Sequence, residues 1–281
     1  MNDFAVNAIS EQVLNGINLP PCPEVLTSVM RAAKLPSADS ASIAQLINRD
    51  VGIAGPLLKL ANSPFIGLKT KATSVFQAIS VLGMQNTLNL VQNIALRQST
   101  GSESHNFEKF WDRSSLSATI AEKIALKFPL VSKDDAYLAA LFHDCGIPIL
   151  MMKHQDYRNT VMSQCKMGKT ICEVENELYS TNHAVVGNLL TRNWMLPQPV
   201  SKAILHHHDE TLFTSRNESI NDAVRTLVSI VHMAECIADE HSHVLDKEWV
   251  HYEQDVLKHL EMSPQEFAEL KGDLLAHLNG E

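Results

Sequence analysis

His143 and Asp144 stand side by side at the end of a small-residue stretch, Tyr137-Leu-Ala-Ala-Leu-Phe-His143-Asp144-Cys145-Gly146. Further along come His183, the run His206-His207-His208-Asp209, and Glu235 in Val231-His-Met-Ala-Glu235. Neutral imidazoles and carboxylates are the usual ligands of Zn, Fe, Mn and Mg. A His and an Asp adjacent at one helix end can reach the same ion from a single backbone turn. The chemistry that suits such a set is hydrolysis of a phosphate ester, because a bound ion lowers the pKa of its water and stabilises charge on phosphoryl oxygens. In an active enzyme of that kind Asp144 is the residue expected to take part in catalysis.

Two other chemistries fit less well. No Gly-rich loop follows a strand, so phosphate-loop and dinucleotide fingerprints are missing. Cys145 lies beside His143 and Asp144, but a helix C-terminus disfavours the thiolate that a nucleophile needs. His154, His232, His241, His243, His251, His259 and His277 match no such pattern and read as hydrogen-bonded structural residues. His206 is ambiguous: the Ala203-Ile204 register assigns the pair to His207 and His208, and a slip of one residue would bring it in.

The elements that must position these side chains read as helices nearly throughout. Ser74-x-x-Gln77 is a capping-box pattern, with Val75, Ile79 and Leu82 then recurring at helical spacing as far as Gly83. A second helix follows, with Leu88, Val91, Ile94 and Ala95 on one face. Ser132-x-x-Asp135 caps the helix leading to His143, and Gly146 and Pro148 are expected to stop it. From Asp222 to Asp239 apolar residues run nearly all round, which marks a buried helix. No alternating apolar and polar run flanked by hairpin turns is visible, so the fold class is all-α. The polar stretch Gln98–Asn106 is the expected boundary between two helical bodies. Beyond residue 240, His243 to Leu260 is amphipathic, and Ser263-Pro264-x-Glu266 opens a further helix.

Composition bounds the setting. The chain has 281 residues, 45% hydrophobic and 20% charged, as a globular protein with a sizeable core does. A net charge of −9, with no basic run, argues against nonspecific nucleic-acid binding, which needs clustered Lys and Arg. Apolar runs such as Ile147 to Met152 are far short of a membrane span. The first residues carry an acid where a signal peptide carries a base. Five cysteines with no CxxC pair fit a reducing compartment. A cytoplasmic protein is the expectation.

Several stretches together carry a resemblance. They are Leu19-Pro-Pro-Cys-Pro-Glu-Val25, Ile43-Ala-Gln-Leu-Ile47-Asn-Arg-Asp50, Leu57-Leu-Lys-Leu-Ala-Asn62-Ser63 and Ala78-Ile79 through Leu82-Gly83. The pattern continues through Phe110-Trp111-Asp-Arg-Ser114, His143-Asp144, His183-x-x-x-Gly187 to Leu196-Pro197, and Ala203-Ile204-x-x-His207-His208. Over roughly residues 18 to 240 the chain resembles HDOD domains, catalytically altered relatives of the HD and HD-GYP metal-dependent phosphohydrolases. It departs at Val51, where that family has Pro. Pro56, five residues on, would kink the helix it lies in.

The resemblance implies an N-terminal helical subdomain (18–100) packed on a multi-helix HD-like domain (105–240), with a helical extension (241–281). It implies burial of Leu57, Leu60, Ile79 and Leu82, and an Asn62 that bonds backbone groups at a helix end. Set against the HD-GYP metal pattern, His143-Asp144 match the central dipeptide, His183 the next histidine and His207-His208 the pair. Glu235 stands where the last Asp would be, and Arg113 takes the place of the first histidine. The GYP tripeptide has no counterpart. The implied cofactor is a divalent ion (Fe, Mn, Zn or Mg) on His143, Asp144, His183, His207, His208 and Glu235.

Arg113 admits two readings. A guanidinium is always charged and cannot ligate a metal, so beside Asp144 it would supply the charge of a missing ion. Pointing to solvent, it would make a surface ion pair worth about 0–1 kcal/mol. Two functions follow. One is a signalling module that has lost catalysis and binds a partner protein, with a nucleotide as a candidate occupant of the pocket. The other is a phosphohydrolase acting on a phosphate ester or nucleotide.

Overall fold

Asp39, Asp50, Ser74, Ser132, Thr170, Asn182 and Asn221 each turn a side-chain oxygen onto a backbone N–H that opens a helix, and this punctuation sets the architecture. The structure is a computed structural model. It describes residues 17–62, 71–100, 107–165, 169–214, 220–244 and 248–279, and among them all regular structure is helical. The chain divides into two compact units, one spanning Pro20–Glu103 and the other containing Ser104–Glu281. Most of the polar stretch expected as a boundary, residues 101–106, lies outside the described residues, as does Ser63.

The Pro20–Glu103 unit holds α1 (Glu24–Ala33), α2 (Ser40–Ile47), α3 (Val51–Ala61), α4 (Val75–Leu82) and α5 (Met84–Ser99). Its core includes Val29, Ile43, Ile47, Ile53, Leu57 and Ile79, all fully buried. Helix α3 runs unbroken through Pro56. Proline has no N–H for the carbonyl four residues back, which here is that of Gly52. Gln98 Nε2 donates to that carbonyl at 2.6 Å instead.

Leu57 and Ile79 are buried as expected and Leu82 is partly so, whereas Leu60 is 37% exposed. The buried stripe of α3 runs through Ile53, Leu57 and Ala61. Its wider apolar side turns toward Leu58, which with Leu82 packs on Ala61, Ala72 and Ala78, and this leaves Leu60 on the flank. Asn62 ends α3 and bonds both backbone groups of Ala72, donating to its carbonyl at 2.8 Å and accepting its N–H at 2.7 Å. Asn62→Ala would strand both groups, and we expect a loss of about 1–3 kcal/mol in a urea melt.

The Ser104–Glu281 unit holds α6 (Glu108–Ala125), α7 (Lys133–Phe142), α8 (Gly146–Lys153), α9 (Tyr157–Cys165), α10 (Ile171–Tyr179), α11 (His183–Asn193), α12 (Gln198–His206), α13 (Asp222–His241), α14 (Trp249–His259) and α15 (Pro264–Asn279). Helix α13 is the axis: it is buried on every side from Thr226 to Asp239 and packs on α6, α7, α12, α14 and α15. Helix α7 starts where Ser132 accepts the N–H of Asp135 at 3.0 Å.

The end of α7 differs from expectation. It closes at Phe142, and Gly146 and Pro148 open the next helix rather than stop this one. Proline is tolerated in a first turn because the N–H it lacks has no intrahelical partner there. His143 and Asp144 therefore lie at the turn between two helices.

Candidate metal centre

Gly146 brings the site together. A Cβ at this position would overlap the backbone carbonyl of His183, so only glycine lets the start of α8 touch the start of α11. That contact sets His183 beside His143 and Asp144. Gly146→Ala would force the two helices apart. The expected cost is about 1–3 kcal/mol, read as a lowered melting temperature.

Four histidines present Nε2 inward. His143 Nδ1 donates to the Ala140 carbonyl at 2.7 Å, and His207 Nδ1 to the Ile204 carbonyl at 2.7 Å. A carbonyl can only accept, so both rings carry a proton on Nδ1, and a ring that is neutral then keeps its lone pair on Nε2. His183 Nδ1 lies 2.7 Å from Glu175 Oε2, and His208 Nδ1 lies 3.2 Å from Glu248 Oε2.

Asp144 is the hub. Its Oδ1 lies 3.4 Å from His183 Nε2 and 3.6 Å from His207 Nε2, and its Oδ2 lies 3.2 Å from His143 Nε2. Asp144, His183, His207 and His208 offer ligand atoms all within 4.8 Å of one another, and His143, Asp144 and Glu235 form a second such group. The sequence thus located His143, Asp144, His183, His207, His208 and Glu235 in one place. His206 stays outside and pairs with Asp209 at 3.3 Å.

This donor set fits an ion. His207 Nε2 is buried with no hydrogen-bond partner. His183 Nε2 and His208 Nε2 face each other at 3.0 Å. Two nitrogens each about 2.0–2.1 Å from one ion are separated by roughly 3.0–3.4 Å, depending on coordination angle. Burial, aided by the nearby His208 and His183, pushes the His207 imidazole down to about 3, so it stays neutral and able to ligate. Burial opposes charge on His143, but Asp144 and Glu235 outweigh it and hold the ring well above its ordinary value. Burial likewise opposes the Asp144 carboxylate, and His143 outweighs it, so Asp144 is held well below the usual range.

Arg113 points inward. Its Nε and Nη2 donate to the two oxygens of Asp239 at 2.6 and 3.1 Å. Its Nη1 lies 2.9 Å from Glu235 Oε1 and 4.0 Å from Asp144 Oδ2. The surface-pair reading of this residue is therefore replaced by a fork inside the pocket.

Asp239, Glu175 and Glu248 were missed from sequence. Asp239 had a signal: two carboxylates four residues apart on a helix buried all round require a cation. Glu175 and Glu248 had none. Cys145 is buried beside Asp144, and burial followed by that charge pushes its thiol far up, consistent with an inert cysteine. His232 is structural as expected, with Nε2 2.8 Å from the His207 carbonyl and its ring stacked on Tyr252.

Solved structures share this fold. An HDOD domain protein of unknown function from Geobacter sulfurreducens is 18% identical with TM-score 0.75, covering 99% of this chain and 96% of that one. A Shewanella amazonensis SB2B protein, named as a candidate phosphohydrolase, is 19% identical with TM-score 0.72, covering 95% and 94%. A Marinobacter aquaeolei VT8 protein, named as a candidate signal transduction protein, is 18% identical with TM-score 0.71, covering 100% and 66%. An uncharacterized Treponema pallidum (strain Nichols) protein is 23% identical over 196 residues, 68% of this chain, and the chain spans 38% of that relative's length. Among the described residues no helix is long and apolar enough to cross a membrane. The HDOD domain family matches residues 19–210, a span that takes in Arg113, His143, Asp144, His183, His207 and His208, and the chain belongs to that family.

Proposed function

We propose that this chain is a regulatory HDOD module that holds one divalent ion and acts through a partner protein, without hydrolysing phosphate esters. Asp144 Oδ1 and the Nε2 atoms of His183, His207 and His208 would hold the ion. Three imidazoles with one carboxylate suit Zn or Fe better than Mg. A bound ion there would supply Lewis acidity and a water of lowered pKa.

The observation that carries the reading is the place of Arg113. Two-metal phosphohydrolases clamp the attacking and leaving oxygens between ions about 3.5–4 Å apart. In this pocket His143, Asp144 Oδ2 and Glu235 are the donors for a second ion, and the Arg113 guanidinium is bonded to Glu235 among them. It supplies positive charge but cannot activate a water by ligation. The five cysteines are thiols, which suits a reducing cytoplasm.

Untagged protein, assayed for metal content, is expected to carry one transition-metal ion per chain. Phosphomonoesters, phosphodiesters and nucleotides offered with Mn, Mg or Fe are expected to remain intact. Two ions per chain together with hydrolysis would establish the phosphohydrolase reading instead.

A further inference from the structure

We infer that Glu175 is a positioning residue for the metal centre, holding His183 so that its Nε2 alone faces the ion. The inference rests on the single-ion reading above. Glu175 lies on α10 and is fully buried. Its Oε2 accepts two bonds from the same residue, the backbone N–H of His183 at 2.9 Å and its ring Nδ1 at 2.7 Å. Its other oxygen accepts the Tyr157 hydroxyl.

The other three imidazoles are held differently. His143 and His207 bond the carbonyl three residues back in their own turn, a local arrangement that the backbone itself supplies. His208 meets Glu248, whose side chain is 47% exposed and competes with water. Of the four, His183 is the one whose tautomer is set by a buried side chain from another helix. A carboxylate acceptor keeps the proton on Nδ1, leaves the lone pair on Nε2, and strengthens that nitrogen as a donor to metal. The Cys172 sulfur is also near Nδ1, but at 3.9 Å it does not compete with an oxygen at 2.7 Å.

Helix capping alone does not explain Glu175. The cap of α11 is Asn182, whose side chain accepts the N–H of Val185 at 3.0 Å. A role confined to the backbone would leave the ring bond without purpose, and a neutral amide of the same shape would serve it equally.

The test compares wild type with Glu175→Gln and Tyr157→Phe, using Co(II) alone as probe, by calorimetric titration and visible absorption. Glu177→Gln, on the same helix and exposed, sets the baseline. Glu175→Gln is expected to weaken Co(II) binding by about 10–100-fold and to shift the absorption band, with helicity and a cooperative melt retained. Tyr157→Phe, which removes the bond that fixes the Glu175 carboxylate in place, is expected to weaken binding and to move the band by less. Wild-type affinity and spectrum in both variants would overturn the inference. If Glu175→Gln does not fold, Tyr157→Phe decides on the same two readouts. A wild-type protein that takes up no Co(II) would overturn the single-ion reading itself, and this inference with it.

Discussion

Arg113→Ala is expected to destabilise the Ser104–Glu281 unit by about 3 kcal/mol at neutral pH, the lower end of the range for stranding a buried ionic partner. Glu235 and Asp239 are both buried and stand one turn apart on α13. Arg113 binds both, and without it Asp239 loses that cation and Glu235 keeps only the His143 ring beside it. The lower end applies because the Arg113 side chain is 32% exposed, so water can enter part of the space it leaves. For a unit of this size the melting temperature should fall by roughly 6–12 °C.

The acid limb gives a second check. Burial raises the Glu235 pKa, but His143 and then Arg113 outweigh it and depress it below its ordinary value of 4.5. A depressed carboxylate contributes stability that is present above the unfolded value and is lost as pH falls through the folded one. The gap between wild type and Arg113→Ala should therefore narrow as pH drops below 4.5. Equal melts at neutral pH would mean that the guanidinium is not paired as described. Arg113→His places an imidazole beside His143, Asp144 and Glu235. Its metal content is expected to rise from one ion toward two.

Much of this site was legible because its parts are local. The His143-Asp144 dipeptide needs only a helix end, and the Ala203-Ile204 register chose His207 and His208 over His206. Apolar residues on every face of Asp222–Asp239 announced a helix with neighbours all round. Periodicity tells which face of a helix is buried, but not which side chain meets it. Glu175 therefore looked like any acid on an amphipathic helix until α10 was laid against His183. Leu60 fails for the same reason, since its exposure depends on which way α3 leans. Gly146 was read as a helix stop because glycine marks both stops and close approaches, and only the carbonyl of His183 tells them apart.

Asp144→Asn should abolish metal retention while the chain still folds. Asp144 Oδ1 faces His183 and His207, and Oδ2 faces His143 and Arg113. An amide has the same shape but carries no charge, and one of its two ends is a donor that cannot ligate. The imidazole Nε2 lone pairs attract that donor, and Arg113 attracts the remaining oxygen. The amide NH2 would then sit where the ion requires an oxygen. Loss of a direct ligand and of its charge should exceed the about 10–100-fold typical of outer partners. Metal content is expected to fall from one ion per chain to background. The metal-free variant should melt below metal-free wild type, because His143 loses its Asp144 partner. Added Zn should raise only the wild-type melt, because an ion that binds the native state alone stabilises by mass action. A variant that keeps its ion, or gains stability from Zn as wild type does, would place the metal somewhere other than at Asp144.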